Sequence, residues 1–243
     1  MSFQVLAITL DLDDTLWPFA PIGARIDRVL HEWMQVHSPV TAARFDIAGM
    51  KLLRERSFAE NPHLHYDLSA LRRLTLQQAL QESGGDLALV EPAYEVFYAA
   101  RNQVECYPDA VDALARIAAR VPVAALSNGN ADLARIGLDH HFAFQLGSRE
   151  HGAAKPQASI FHAACDRLGV APGQVLHVGD HVDMDVMGAL GAGLRACWIN
   201  REAATWPHAP QAPDLEFDTL AGLADWLDAQ SLADAPAAPG RVA

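Results

Sequence analysis

Two carboxylates two positions apart, Asp11 and Asp13, close a short apolar run in the segment Leu10-Asp11-Leu12-Asp13-Asp14-Thr15. Alternate side chains of an extended chain share a face, so the pair occupies one small volume. Like charges that close repel unless a cation lies between them or one keeps its proton. Such a pair can hold a metal, or divide the work of nucleophile and acid–base. Asp-Asp-Thr is also good sequence for a helix cap or a solvated turn.

Three further groups carry comparable chemistry. Ser127-Asn128-Gly129-Asn130 follows an apolar run and offers a hydroxyl and successive backbone N–H groups, which suit an anion at a helix N-terminus; a plain turn capped by Asn130 is the alternative. Lys155, just ahead of Pro156 and a helix start, can balance the acids and hold a phosphate, although a lone lysine is ordinarily solvated. The stretch from His177 to Asp185 sets Gly179 and Asp180 at the end of another apolar run, with Asp185 about a turn into the next helix. Carboxylate oxygens with waters completing the shell describe Mg²⁺, whereas a simply acidic helix start needs no ion.

The elements that must position these groups are legible from hydropathy. Val5–Leu10, Val121–Leu126, Val175–Val178 and Leu194–Ile199 are nearly continuous apolar runs, the pattern of parallel strands buried on both faces. Phe142–Leu146 and Leu215–Phe217 are weaker candidates for the same sheet. Between the runs, Val111, Leu114, Ile117 and Ala118 form one helical stripe and Ile160, Phe161, Ala164 and Leu168 another, with Val182–Leu190 separating the last two strong runs. Strands alternating with helices make an open parallel α/β sheet, whose ligands bind at the carboxyl ends of the strands. All four polar groups stand at such ends.

Residues 17–103 break the rhythm and are too many for a structureless loop. They carry stripes of their own: Ile22, Ile26, Val29, Leu30 and Trp33; Ala43, Ile47, Met50 and Leu53; Leu68, Leu71 and Thr75; Ala93, Tyr94, Phe97 and Ala100. Leaving directly after the acid pair, this stretch is expected to form an all-helical cap over the active face, on a core of residues 1–16 and 104–230. Trp17, Phe19 and Pro21 lie at the exit and serve either as hinge packing or as a face for a flat substrate. The Ala/Pro-rich Ser231–Ala243 is expected to be a flexible tail.

Composition narrows the partners. A formal net charge of −12 disfavours nucleic acid and anionic membrane, and no apolar run approaches the ~20 residues that cross a bilayer. Cys106, Cys165 and Cys197 are widely separated, which suits a reducing cytoplasm and offers no zinc site, and the N-terminus lacks the features of a signal peptide. His63, His65, His140, His141, His151, His177 and His181 show no metal-ligand spacing and read as bystanders.

Taken together, DLDDT, AALSN, the lysine of AAKPQASIF, and HVGDHVDMD resemble the four motifs of the haloacid dehalogenase-like superfamily in content, order and spacing, over about Phe3 to Arg201. The resemblance implies a Rossmann-like core, a helical cap after the first motif, and a phosphatase working through an aspartyl phosphate. Carried over, Asp11 is the nucleophile and Asp13 the acid–base. Asp11, the backbone carbonyl of Asp13, and Asp180 hold Mg²⁺. Ser127, Asn128 and Lys155 bind the phosphoryl group, and Asp185 orients Lys155 or a metal-bound water. The haloacid dehalogenases that name the superfamily need neither a metal nor a second acid. Phosphomutases share the motifs. Receiver domains combine similar residues but lack the DxD pair and the long insertion. Within the phosphatases the sequence around Ser127–Asn130, Lys155-Pro156 and His177–Trp198 is similar to bacterial flavin mononucleotide phosphatases, a group linked to the phosphorylated pyrimidine intermediate of riboflavin synthesis. Asp67 and Arg72 add a similar context in the insertion, with Arg72 expected to bind substrate. The partner implied is a small phosphorylated metabolite, with nucleoside monophosphates and sugar phosphates also open.

Overall fold

The computed structural model describes residues 3–233. Six parallel strands, β1 (Ala7–Leu10), β2 (Val123–Ser127), β3 (Phe144–Gly147), β4 (Val175–Gly179), β5 (Arg195–Ile199) and β6 (Leu215–Phe217), form one sheet in the order β3-β2-β1-β4-β5-β6. Every residue of β1, β2 and β4 is buried, whereas the edge strands β3 and β6 are partly exposed. That difference is why the central runs are continuous in sequence and the outer ones weak. Leu10 lies level with Ala125 on one side and Val178 on the other, and the Asp11 amide donates to the Val178 carbonyl at 2.9 Å. The three central strands therefore end together, and whatever follows them shares one edge.

Five α-helices follow β1 ahead of residue 104: α1 (Phe19–His37), α2 (Pro39–Arg44), α3 (Ile47–Glu60), α4 (Leu68–Ser83) and α5 (Val90–Arg101). The stripe running from Ala43 to Leu53 does not form a single helix. Asp46 stops it by accepting the Gly49 amide at 2.7 Å as the N-cap of α3, which leaves Ala43 and Ile47 exposed. Downstream come α6 (Ala110–Ala118), one-turn helices α7 (Leu133–Ile136) and α8 (Ser148–His151), α9 (Ala158–Leu168), one-turn α10 (Gly188–Gly191) and α11 (Leu220–Ala233). Alternation along β1 separates the two faces of the sheet. Ile8 and Leu10 pack in one cluster with Leu114, Ile117 and Leu223, and Ala7 in another with Phe161 and Ala164. Helices thus cover both faces, as in a Rossmann-like fold. Val111, placed on the α6 stripe by sequence, is 43% exposed, its burial taken over by Ala110 and Ala113.

The chain from Val182 to Met187 is a π-helical turn rather than a regular helix, started by the His181 ring, whose Nδ1 accepts the Asp183 and Met184 amides at 3.2 Å. Such turns recur at functional sites because they re-aim side chains. Ser231–Ala233, expected in the tail, belong to α11, and the rest of that tail lies outside the described residues. No helix among the described residues is long and apolar enough to cross a membrane. Phe161 is fully buried, edge-on to His177 with ring centroids 5.0 Å apart, and pins α9 beneath the carboxyl end of β4. Phe161→Ala is expected to cost about 3–5 kcal/mol of stability by denaturant titration; a change below ~1 kcal/mol would contradict this packing account.

Candidate active site

Lys155 organises the site. Its backbone is clasped by Asn128, whose Nδ2 donates to the Lys155 carbonyl at 2.9 Å and whose Oδ1 accepts the Lys155 amide at 2.8 Å. The side chain, 2% exposed, reaches down to donate from Nζ to Asp11 Oδ1 at 2.7 Å and Asp185 Oδ1 at 2.6 Å. Asp185 is saturated from the other side. His177 Nε2 lies 3.1 Å from Oδ1, and the His181 amide donates to Oδ2 at 3.0 Å. The imidazole is oriented in turn, with Nδ1 2.8 Å from the Thr9 hydroxyl. With Nε2–H donating to Asp185, Nδ1 accepts from Thr9, which fixes the tautomer. Gly179 is required here, since a Cβ at that position would lie 2.4 Å from Asp185 Cγ.

The charges are unequal in consequence. Burial alone would lower the Lys155 pKa, but Asp11 and Asp185 more than offset it and hold the ammonium above its ordinary value. Burial would raise Asp185, yet Lys155 and His177 keep it well below the usual carboxylate range. Asp11 is pushed well above its ordinary value by burial, only partly relieved by Lys155 and worsened by Asp185 and Asp180. Burial and Asp185 push Asp180 up to about 7, against a hydrogen bond from the Thr15 hydroxyl at 2.9 Å. Two carboxylates thus ionise reluctantly for want of enough positive charge beside them. One oxygen each of Asp11, Asp180 and Asp185 lies within 4.8 Å of the others. A set of hard oxygen donors with excess negative charge fits a hard divalent cation.

Asp13 faces elsewhere. Trp17 Nε1 donates to its Oδ1 at 2.8 Å and Arg101 Nη2 to its Oδ2 at 2.6 Å. A Cβ on Gly129 would sit 2.7 Å from Asp13 Oδ2 and 3.3 Å from Ser127 Oγ, so the carboxylate lies against the loop after β2. In that loop the Gly129 amide donates to Ser127 Oγ at 3.0 Å. The turn joining Asp13 to α1 rests on Asp14, which adopts a left-handed φ of 58° and accepts the Phe19 amide at 2.8 Å.

The fold therefore brings Asp11, Lys155, Asp180 and Asp185 into one cluster and sets Asp13 beside Ser127. The loop after β2 does not open directly on a helix. Asp132, not Asn130, caps the single turn α7, accepting the Ala134 and Arg135 amides. Arg72 is not brought to the cluster. Its guanidinium lies 4.4 Å from the Phe97 ring centroid and lines a cleft of the helical insertion with Asp27, Met34 and Met50. Trp17 is fully buried, and Phe19 is 39% exposed under Arg101. Sequence reasoning assigns no role to Arg101 or Thr15, reads Trp17 only as hinge packing or a face for a flat substrate, and reads His177 as a bystander. His177 carried a signal, an ionisable residue inside a continuous buried run, and is no bystander. Arg101 carried none, because its partner lies 88 positions away.

Asp180 gives a test with a definite sign. Its folded-state pKa of about 7 exceeds the ~4 of an unfolded aspartate, so between those values the folded chain holds the extra proton. Stability of the metal-free protein should fall as pH rises across that interval, and Asp11 contributes in the same direction. In chelator, Asp180→Asn should melt above wild type at pH 8, the difference shrinking toward pH 4. A lower melting temperature for the variant at pH 8 would contradict the reading.

Comparison with known proteins shows the family. The family model for haloacid dehalogenase-like hydrolases matches residues 5–193. The chain is 31% identical to the 5-amino-6-(5-phospho-D-ribitylamino)uracil phosphatase YigB of Escherichia coli (strain K12), covering 90% of this chain and 95% of that protein. It is 32% identical to a phosphoserine phosphatase of Thermus thermophilus, over 88% of this chain and 95% of the relative. Among solved structures it is similar to a 2-haloacid dehalogenase from Pseudomonas syringae pv. Tomato DC3000, with a TM-score of 0.86, 34% identity, and 94% and 100% of the two chains covered. The chain belongs to the haloacid dehalogenase-like hydrolases.

Proposed function

We propose that this hydrolase is a magnesium-dependent phosphatase of small phosphorylated metabolites, with Asp11 carrying the phosphoryl group between two half-reactions. The observation that carries the reading is the Lys155 ammonium buried between Asp11 and Asp185, beside Asp180. A phosphate dianion repels a carboxylate nucleophile, so positive charge must be fixed at the point of attack. Asp11, Asp180 and the backbone carbonyl of Asp13 would hold Mg²⁺, which when bound supplies further neutralisation of phosphoryl and carboxylate oxygens.

The chain's own residues divide the remaining work. With Oδ1 held by Lys155, Asp11 attacks phosphorus through Oδ2. The bond from phosphorus to the leaving oxygen breaks, and Asp13 gives that oxygen a proton. In the second half a water oxygen bonds to phosphorus, the bond to Asp11 breaks, and Asp13 takes the water's proton. Ser127, amides of its loop and Lys155 grip the phosphoryl oxygens. Asn128 contributes by clasping the Lys155 backbone, and Asp185 by orienting the ammonium.

The helical insertion acts as a cap that excludes water from the reacting group. Supporting contacts run from the Ser148 hydroxyl to the Tyr66 carbonyl at 2.7 Å and from Asn130 Nδ2 to the Ser69 hydroxyl at 3.3 Å. The Arg72 cleft is the candidate for reading the distal end of the substrate. Likeness to the Escherichia coli 5-amino-6-(5-phospho-D-ribitylamino)uracil phosphatase supports a phosphate of that kind as substrate, and flavin mononucleotide is the further candidate that the sequence resemblance implies.

Likeness to a 2-haloacid dehalogenase raises a second reading, in which Asp11 attacks carbon. Asp13 and Asp180 would have no work there. The deciding experiment is phosphate release from a panel containing flavin mononucleotide, nucleoside monophosphates and sugar phosphates, with Mg²⁺ and then with chelator, alongside halide release from 2-haloacids. Metal-dependent phosphate release is expected, lost in Asp11→Asn while the variant still melts cooperatively as a folded protein. Near-normal turnover in that variant, or halide release without phosphate release, would overturn the proposal.

A further inference from the structure

Asp13 is aimed by two donors, and each comes from a different crossing of the chain between sheet and insertion. Trp17, which holds Oδ1, stands where the chain leaves β1 for α1. Arg101, which holds Oδ2, is the last residue of α5, where the chain returns toward β2. The Arg101 side chain is 2% exposed and also donates from Nε to Asn130 Oδ1 at 3.2 Å, while its Nη1 is buried without a partner. A buried unsatisfied donor is unfavourable, so the guanidinium is held here by its surroundings and not by its own full satisfaction. Those surroundings are extensive. The Tyr98 hydroxyl donates to Asp132 Oδ2 at 3.2 Å, Asn102 Oδ1 accepts the Asp132 amide at 2.8 Å, and Arg25 ties α1 to the Ala100 carbonyl at 3.2 Å. Gly129 leaves the room, since a Cβ there would come within 3.1 Å of Arg101 Nη2.

We infer that Arg101 is a positioning residue for the acid–base carboxyl, supplied by the insertion, so that Asp13 is correctly aimed only while the helices are seated against the sheet. The inference rests on the phosphatase reading above, in which Asp13 protonates the leaving oxygen. Each carboxyl oxygen has a second lone pair, so the pairing fixes direction without occupying the place where the proton is carried. A guanidinium fork can hold Asp13 Oδ2 and Asn130 Oδ1 together; a lysine's single ammonium cannot do so in the same plane.

The leaving group provides the readout. An alkoxide must be protonated as it departs, whereas nitrophenolate departs without help. In Arg101→Met, kcat/KM for a primary alkyl phosphate is expected to fall by roughly 100-fold or more, the scale of acid–base catalysis, and for p-nitrophenyl phosphate by less than ~10-fold. Low millimolar guanidinium should restore the alkyl rate selectively. Arg101→Lys should show the same selective loss, and it carries the comparison if the Met variant does not melt as a folded protein. Equal losses on both substrates, or an unchanged alkyl rate, would overturn the inference and leave the phosphatase reading standing. No phosphate release from either substrate by the wild type would remove the reading itself.

Discussion

An ammonium group keeps its charge out of water where carboxylates surround it, and carboxylates can be crowded where a cation holds them or one keeps its proton. Lys155 with Asp11 and Asp185 satisfies both conditions at once. The cost of breaking the set explains much of the neighbourhood: the Asn128 clasp on the Lys155 backbone, the π-helical turn that presents Asp185, the His177–Thr9 relay behind it, and a glycine at 179 where no side chain fits. The same crowding leaves Asp11 and Asp180 with excess charge, so a structure that stabilises its lysine also prepares a place for a hard cation.

The sheet turns these contacts from accident into geometry. Asp11 and Asp180, which follow β1 and β4, and Ser127, which closes β2, are distant in sequence but stand at one edge of three adjacent strands. Ligand sites of open parallel sheets lie at such edges because the strand order diverges on either side of the first strand. The helical insertion leaves from the same edge and returns to it, so its two chain crossings touch the same carboxylate. On the proposed reading, packing and chemistry are therefore joined at Asp13.

Much of this was legible in the chain. Continuous apolar runs marked the central strands because burial on both faces leaves no polar alternation, and acids at the ends of two of them marked the candidate site, although each group alone reads equally as a helix cap or a solvated turn. Boundaries were less secure. Nothing in the periodicity from Ala43 to Leu53 announced that Asp46 would start a new helix, and a stripe cannot show which of Val111 or Ala110 faces the sheet. Arg101 was invisible for a different reason: a contact made by tertiary folding leaves no local pattern. His177 shows no metal-ligand spacing, and its real partners, Thr9 and Asp185, follow no spacing rule.

The central claim is that phosphoryl transfer passes through Asp11. The stereochemical course at phosphorus tests it most directly, using an isotopically chiral thiophosphate monoester hydrolysed in heavy-oxygen water. Two successive in-line displacements, one by Asp11 and one by water, predict net retention. Net inversion would mean a single displacement by water and would contradict the account.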